Sequence, residues 1–250
     1  MAITYNNQIK LDGLVLLLDP YLTSSYPGSG STITNAITGT SASLVTFNYD
    51  ATNKFFTTPN DGDFFYISVP DYSEMTNALN KTSGGFTLIE WIRINNLTYP
   101  RAAAGGRFNT GYGSTSTRGF DWCHGTSNLT SIRMSGSVPE VNPSSDQYDF
   151  DTTINISGAG LSLGTWFQRV LWWNRSTNTH GAYINGVSYG SASHSQVAGY
   201  SLFNGGGATF GTLYGWSHTG ARGPIYLYNS VLSDIDIYFN FTTVKKRFGI

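Results

Sequence analysis

Short runs of apolar residues recur along the chain, separated by Gly, Asn, Ser and Pro, and this is the pattern of an all-β protein. The runs predict strands over Leu14–Asp19, Leu44–Phe47, Phe64–Val69, Phe86–Ile94, Arg118–His124, Thr130–Met134, Trp166–Asn174, Gly181–Ile184 and Gly223–Asn229. In the segment from Phe86 to Ile94 the residues Phe86, Leu88, Ile92 and Ile94 share one face, and Glu90 falls among them. Trp172 and Trp173 must point to opposite faces of their strand, so at least one belongs to a core. Asn185-Gly186 accepts the positive φ angles of a type I′ turn and predicts a tight hairpin. Asn204–Gly207 reads as a flexible loop or a close approach of backbones.

One helix is expected. Ser233 is placed to cap a helix from Asp234, with Asp234 and Asp236 in its first turn and Lys245, Lys246 and Arg247 near its end. Ile235 and Phe239, four apart, give it a small apolar face, and the β-branched Thr242-Thr243-Val244 run is expected to end it after one or two turns. No composition break or internal repeat appears, which predicts one domain over residues 1–250.

Composition narrows the partners. Only 12% of residues are charged, with 14 basic against 15 acidic, and the one basic run is Lys245-Lys246-Arg247; a phosphate-tracking surface is therefore not expected, nor is nucleic acid as a partner. Hydrophobic residues at 40%, with 16 Tyr and 15 Phe, suffice for a large core. The polar surface then consists largely of Asn, Ser, Thr and Gly, which suits an assembly subunit or a protein that meets neutral ligands. The single cysteine, Cys123, has no internal disulfide partner. The first ten residues show no basic-then-apolar leader, and Leu14–Leu18 is too short to span a bilayer, so synthesis in the cytosol without membrane insertion is expected.

Four stretches, in order, resemble the laminin-G-like branch of the concanavalin-A-like lectin/glucanase superfamily. The first is Gly13-Leu-Val-Leu-Leu-Leu-Asp19 followed by Ser25-Tyr-Pro-Gly-Ser-Gly30. The second is Gly85-Phe-Thr-Leu-Ile-Glu-Trp91-Ile, and the third runs from Trp166 to Ser176 and on to Tyr183-Ile-Asn-Gly186. The fourth is Ile225-Tyr-Leu-Tyr-Asn-Ser-Val-Leu-Ser233 with Lys246-Arg-Phe-Gly249. The resemblance implies an antiparallel jelly-roll sandwich with adjacent terminal strands and a short C-terminal helix. The opening and closing stretches look most like copies carried by bacteriophage and other viral structural proteins. That family hosts lectins, hydrolases, adhesion modules and virion proteins, so the fold does not choose a function.

A β-glucan-cleaving member would carry paired carboxylates on one strand, but Glu74, Glu90 and Glu140 are the sole glutamates and lie far apart. Glu90 is expected to be a structurally satisfied residue. His124, His180, His194 and His218 show no metal-ligand spacing. Gly186-Val-Ser-Tyr-Gly190 spells a nucleophile elbow in a hairpin, where that motif has no strand-turn-helix context. Asp146, Asp149 and Asp151 offer oxygen ligands that can hold calcium, although a solvated loop is the plainer reading; no other cofactor is implied. Two clusters interleave aromatics with histidine in the manner of a sugar site, Trp122 with His124 and Tyr214 with Trp216 and His218, although core or sheet-edge packing is the plainer reading of each.

The expected function is thus a non-enzymatic structural protein of a virion, as a capsid decoration, fibre or tail component. Its partners would be other virion proteins, copies of itself, and host surface glycans. A carbohydrate-binding lectin is the alternative, and a glycoside hydrolase the third reading.

Overall fold

The computed structural model describes residues 9–58, 66–70, 73–79, 84–96, 105–108, 120–124, 129–136, 150–193, 207–211 and 219–250. They form two antiparallel sheets packed face to face. The first sheet runs β14 (Val187–Ser193), β13 (Thr179–Ile184), β12 (Trp166–Asn174), β7 (Gly85–Asn96), β16 (Thr219–Tyr228), β5 (Phe55–Thr57), β4 (Asn48–Asp50), and β1 (Leu14–Leu18) also pairs with β16. The second runs β11 (Phe150–Asn155), β10 (Ser131–Gly136), β9 (Phe120–His124), β8 (Gly105–Phe108), β15 (Ala208–Gly211), β6 (Tyr66–Val69), β3 (Ser41–Val45), β2 (Thr32–Thr34). This is the jelly-roll sandwich that the motifs imply, with the first and last strands adjacent through the β1–β16 ladder.

The period of two sorts β7 cleanly. Phe86, Leu88, Ile92 and Ile94 join the core between the sheets with Phe167, Leu171 and Trp173 of β12 and Trp122 and Phe210 of the second sheet. Ile89 and Trp91 face the other way, into a second core beneath the C-terminal helix. Trp173 is buried between the sheets and Trp172 is half-buried on the outer side, as alternation requires. The first sheet is therefore apolar on both faces.

The C-terminal helix α2 covers Asp234–Val244, three turns, and continues as a 3-10 turn over Lys245–Phe248. Ser233 caps it as expected, its Oγ accepting from the Asp236 amide at 3.2 Å. Two expectations need correction. The helix does not stop early, because Phe241 and Val244 are buried on the sheet and Thr242 folds its hydroxyl back to the carbonyls of Tyr238 and Phe239. Burial outweighs the small β-branched penalty. Its core face is also not Ile235 and Phe239, which are exposed, but Ile237, Asn240, Phe241 and Val244. A further helix, α1 over Ser73–Leu79, escaped the expectation of a single one; it buries Met75, Ala78 and Leu79. Removing the cap with Ser233→Ala is expected to cost about 1 kcal/mol. That would lower the melting temperature by roughly 2–4 °C in a chain of this size, measurable by thermal denaturation.

Asn185 and Gly186 both have positive φ, at 52° and 80°, which is the predicted tight turn. Ser188 lies just past it inside the exposed strand β14, which runs on to Ser193, so it does not sit at a strand-to-helix turn and the nucleophile-elbow lettering has no structural counterpart. Among the described residues no helix is long and apolar enough to cross a membrane.

Candidate functional site

Glu90 sits on the inner face of β7, fully buried, where alternation placed it. Its neighbours in register are Arg169 of β12 and Ile225 of β16, and Arg222 comes from the same strand β16 beyond a register shift. Arg169 donates from Nε and Nη2 to Oε2 at 3.1 and 2.6 Å; Arg222 donates from Nη1 to Oε1 at 2.8 Å and from Nη2 to the Gly211 carbonyl at 3.3 Å. The indole of Trp122 reaches across from the second sheet and donates to Oε2 at 2.8 Å. Burial alone would push the Glu90 carboxyl up, but Arg169, Arg222 and the hydrogen bonds from Arg169 and Trp122 outweigh it and hold it below the usual range. Burial pulls the Arg222 guanidinium down, and Glu90 opposes that. A fully buried carboxylate that takes three hydrogen bonds on Oε2 and one on Oε1, from two guanidiniums and an indole, is a structural ion centre rather than an acid or base for a substrate.

The sequence-predicted sugar residues of β9 need correction. Trp122 is buried with its indole spent on Glu90, and His124 is buried with its ring edge-on to Phe167 at 5.3 Å. Both serve the core, because β9 is an inner strand of the second sheet and their side chains point between the sheets. Tyr214, Trp216 and His218 lie outside the described residues, as do Asp146 and Asp149. The backbone of Asp151 pairs with Ser135 in the β10–β11 ladder, and its side chain lies outside the described set. Among the described residues no group of three His, Cys, Asp or Glu is placed to hold a metal ion.

What the structure does assemble is a corner where the four sequence motifs meet. Arg247 of the closing motif donates to Asp19 of the opening motif at 2.7 Å and lies 4.4 Å above the Tyr21 ring. Ser25 bridges the opening strand and its loop, accepting from the Asp19 amide and donating to the Thr34 carbonyl. Next to Arg247, Phe248 stacks on Trp91 at 4.7 Å and lies tilted against Trp166 at 4.3 Å, joining the second and third motifs. The four motifs therefore pack against one another at this corner.

Beside this corner, a groove of about 460 Å³ opens between the loop after β11 and the chain end. Trp166 and Phe248 form one wall, backed by Phe55 at 5.1 Å from Trp166 and by the Arg93 guanidinium at 5.5 Å. The other wall is main chain and small side chains over Ala159–Leu161 and Gly164–Thr165, with the loop tied down by the Gly164 amide to the Ile94 carbonyl. Asn185 reaches the groove from the hairpin turn. Its Oδ1 accepts from the Gln168 amide at 2.9 Å, which leaves its side-chain NH2 as the group it presents. A half-buried indole, an oriented amide and a rim of backbone polar groups suit a mono- or disaccharide, and the volume is within the ordinary range for small ligands. Trp166 and Phe248 were legible as motif residues and Asn185 as a turn residue; nothing along the chain joins them.

No family model matches the chain, and no curated protein matches its sequence. Its fold is similar to those of solved structures at low identity. The binding domain of botulinum neurotoxin DC in complex with SialylT is 16% identical, with a TM-score of 0.61 over 93% of this chain and 52% of that one. The same domain in complex with rat synaptotagmin II is 15% identical, with a TM-score of 0.61 over 93% and 52%. Trypanosoma rangeli sialidase in complex with sialic acid is 15% identical, with a TM-score of 0.64 over 94% of this chain and 33% of that one. The chain spans about half of the toxin domains and a third of the sialidase. These likenesses bear out the antiparallel β-sandwich fold.

Proposed function

We propose that this chain is a non-enzymatic contact domain that binds a glycan in the Trp166–Phe248–Asn185 groove. The observation that carries the reading is the pairing of an aromatic wall with an oriented amide donor on a surface of otherwise neutral groups. The apolar face of a pyranose packs on the indole, and the Asn185 NH2 and nearby main-chain groups meet its hydroxyls. The non-enzymatic half is supported by Glu90, whose carboxylate is committed to Arg169, Arg222 and Trp122 inside the sandwich. Sandwich neighbours solved with SialylT, sialic acid and a synaptotagmin favour glycan or protein partners for such a scaffold. The opening and closing motifs, which resemble those of viral structural proteins, favour a virus particle as its setting, with other virion proteins as further partners.

The test is a glycan array followed by calorimetric titration of the best ligand. Trp166→Ala and Asn185→Asp are each expected to weaken binding at least about tenfold. Asn185→Asp keeps the acceptor for the Gln168 amide and a residue tolerant of positive φ, so its loss isolates the NH2 donor. Binding unchanged by both substitutions, or no glycan bound by the wild-type chain, overturns the groove assignment. Polysaccharide hydrolysis by the pure protein overturns the non-enzymatic reading, and absence of the chain from purified particles overturns the virion setting.

A further inference from the structure

The outer edge of the first sheet is β14, with the sequence Val-Ser-Tyr-Gly-Ser-Ala-Ser and five of its seven residues exposed. Sheet edges are ordinarily guarded by Lys, inward charges, Pro or a covering segment, because their free N–H and C=O groups invite another strand. β14 carries no charge and no proline, and apart from Val187 and the half-buried Tyr189 its side chains are small.

The N-terminal half of α2 lies against the same hairpin. Tyr183 of β13 donates to Asp234 at 2.6 Å, and a side chain added at Gly186 would meet the rings of Tyr238 and Phe241. On its outward side α2 exposes Ile235 at 81%, Tyr238 at 55% and Phe239 at 46%. These three lie at positions i, i+3 and i+4, which is one stripe of a helix. They leave on the order of 400 Å² of apolar surface in water, a patch of the size that on a monomer usually marks a contact site.

We propose that the chain forms a twofold dimer in which β14 pairs antiparallel with β14 of a second copy and the α2 stripe packs on its counterpart. The edge requires an occupant that offers a strand, and the stripe beside it requires one that offers apolar surface. A second copy supplies both at once, since an antiparallel pair of identical edges is self-complementary across a twofold axis. The β14 edge and the three stripe residues are uncharged, the two carboxylates of the first turn of α2 are engaged by Tyr183 (Asp234) and Lys10 (Asp236), and a net charge of −1 gives copies little reason to repel. The stripe plus a seven-residue edge brings each partner toward the roughly 800 Å² of a standard stable interface.

Sedimentation velocity across a concentration series tests this, together with hydrogen exchange of residues 187–193. The wild-type chain is expected to sediment as a dimer, and β14 amides to exchange more slowly as the dimer fills. Ile235→Glu and Ser191→Lys alter exposed side chains on the two elements, so their melting temperatures should stay near wild type. Each is expected to raise the dimer dissociation constant at least about a hundredfold, because a twofold axis places every substitution in the interface twice. A wild-type chain that stays monomeric at hundreds of micromolar overturns the proposal, as does a dimer indifferent to both substitutions. A dimer whose β14 exchange does not change with concentration overturns the strand pairing. Glycan binding at the groove is read separately, so neither result decides the other.

Discussion

Replacing Glu90 with alanine is expected to remove a large part of the chain's stability. The substitution removes the carboxylate shared by Arg169 and Arg222, whose side chains are 0% and 1% exposed, together with the acceptor of the Trp122 indole. Two buried guanidiniums then lose the anion that they share. Breaking a buried pair by deleting one partner costs about 3–5 kcal/mol, a large share of the roughly 5–15 kcal/mol that stabilises a folded protein. Urea denaturation should show a transition moved to far lower denaturant, or no folded baseline. Glu90→Gln should fall close behind, since it keeps the shape and loses the charge. Replacing all three together, Glu90→Leu with Arg169→Met and Arg222→Met, is expected to recover most of the loss, because an apolar cluster of similar volume also fills the space. If Glu90→Ala melts like the wild type, the centre contributes nothing to stability.

The same centre makes acid the condition that weakens the protein. Glu90 has a folded pKa below its ordinary value, near 4.3 in unfolded chains. Its contribution is therefore fully present above that value and is lost as pH falls through the folded pKa. Denaturation at pH 7 and at pH 3 should differ more for the wild type than for the triple apolar variant.

Gly85→Ala is expected to cost about 3–4 kcal/mol, the range of severe core overpacking. Gly85 opens β7 opposite Asn174, and an added Cβ would fall 1.9 Å from the Trp173 carbonyl oxygen and 2.7 Å from Val231. The obstacle is main chain, so relief requires the end of the β7–β12 ladder to part. There Phe86 and Trp173 are register partners, and both pack against Phe120. Gly39→Ala is the matched control: its φ is +81° but nothing lies within 4 Å of the new atom, so only the backbone strain of about 1 kcal/mol applies. Thermal melts of the two variants should separate clearly; equal losses would mean that the strand end yields without cost.

Several elements were legible in advance because their cause is local. The strand Trp166–Asn174 is found with its predicted bounds, the Asn185-Gly186 turn has the positive φ values its residues permit, and Ser233 caps α2. Glu90 on an apolar face followed from period two alone. Short strands such as β4, β5 and β15 carry too few residues for a period to register, and α1 has only seven.

Other features had no local cause. Whether a Trp-x-His strand shows its aromatics to water or to a core depends on which sheet covers it, so Trp122 and His124 were read as ligand contacts and lie buried. The helix face turned the same way: Ile235 and Phe239 are as apolar as Ile237 and Phe241, and only the position of the first sheet decides which pair it covers. The sequence by itself determined an all-β chain, its main strands, its principal turn and cap, and a carboxylate destined for the interior, since dihedral preference and side-chain alternation act between neighbours. The tertiary structure alone decided that Arg169, Arg222 and Trp122 meet that carboxylate, that Trp166, Phe248 and Asn185 share a groove, and which helix face stays open. Those groups come from different strands, and their meeting depends on strand order and on how the layers pack.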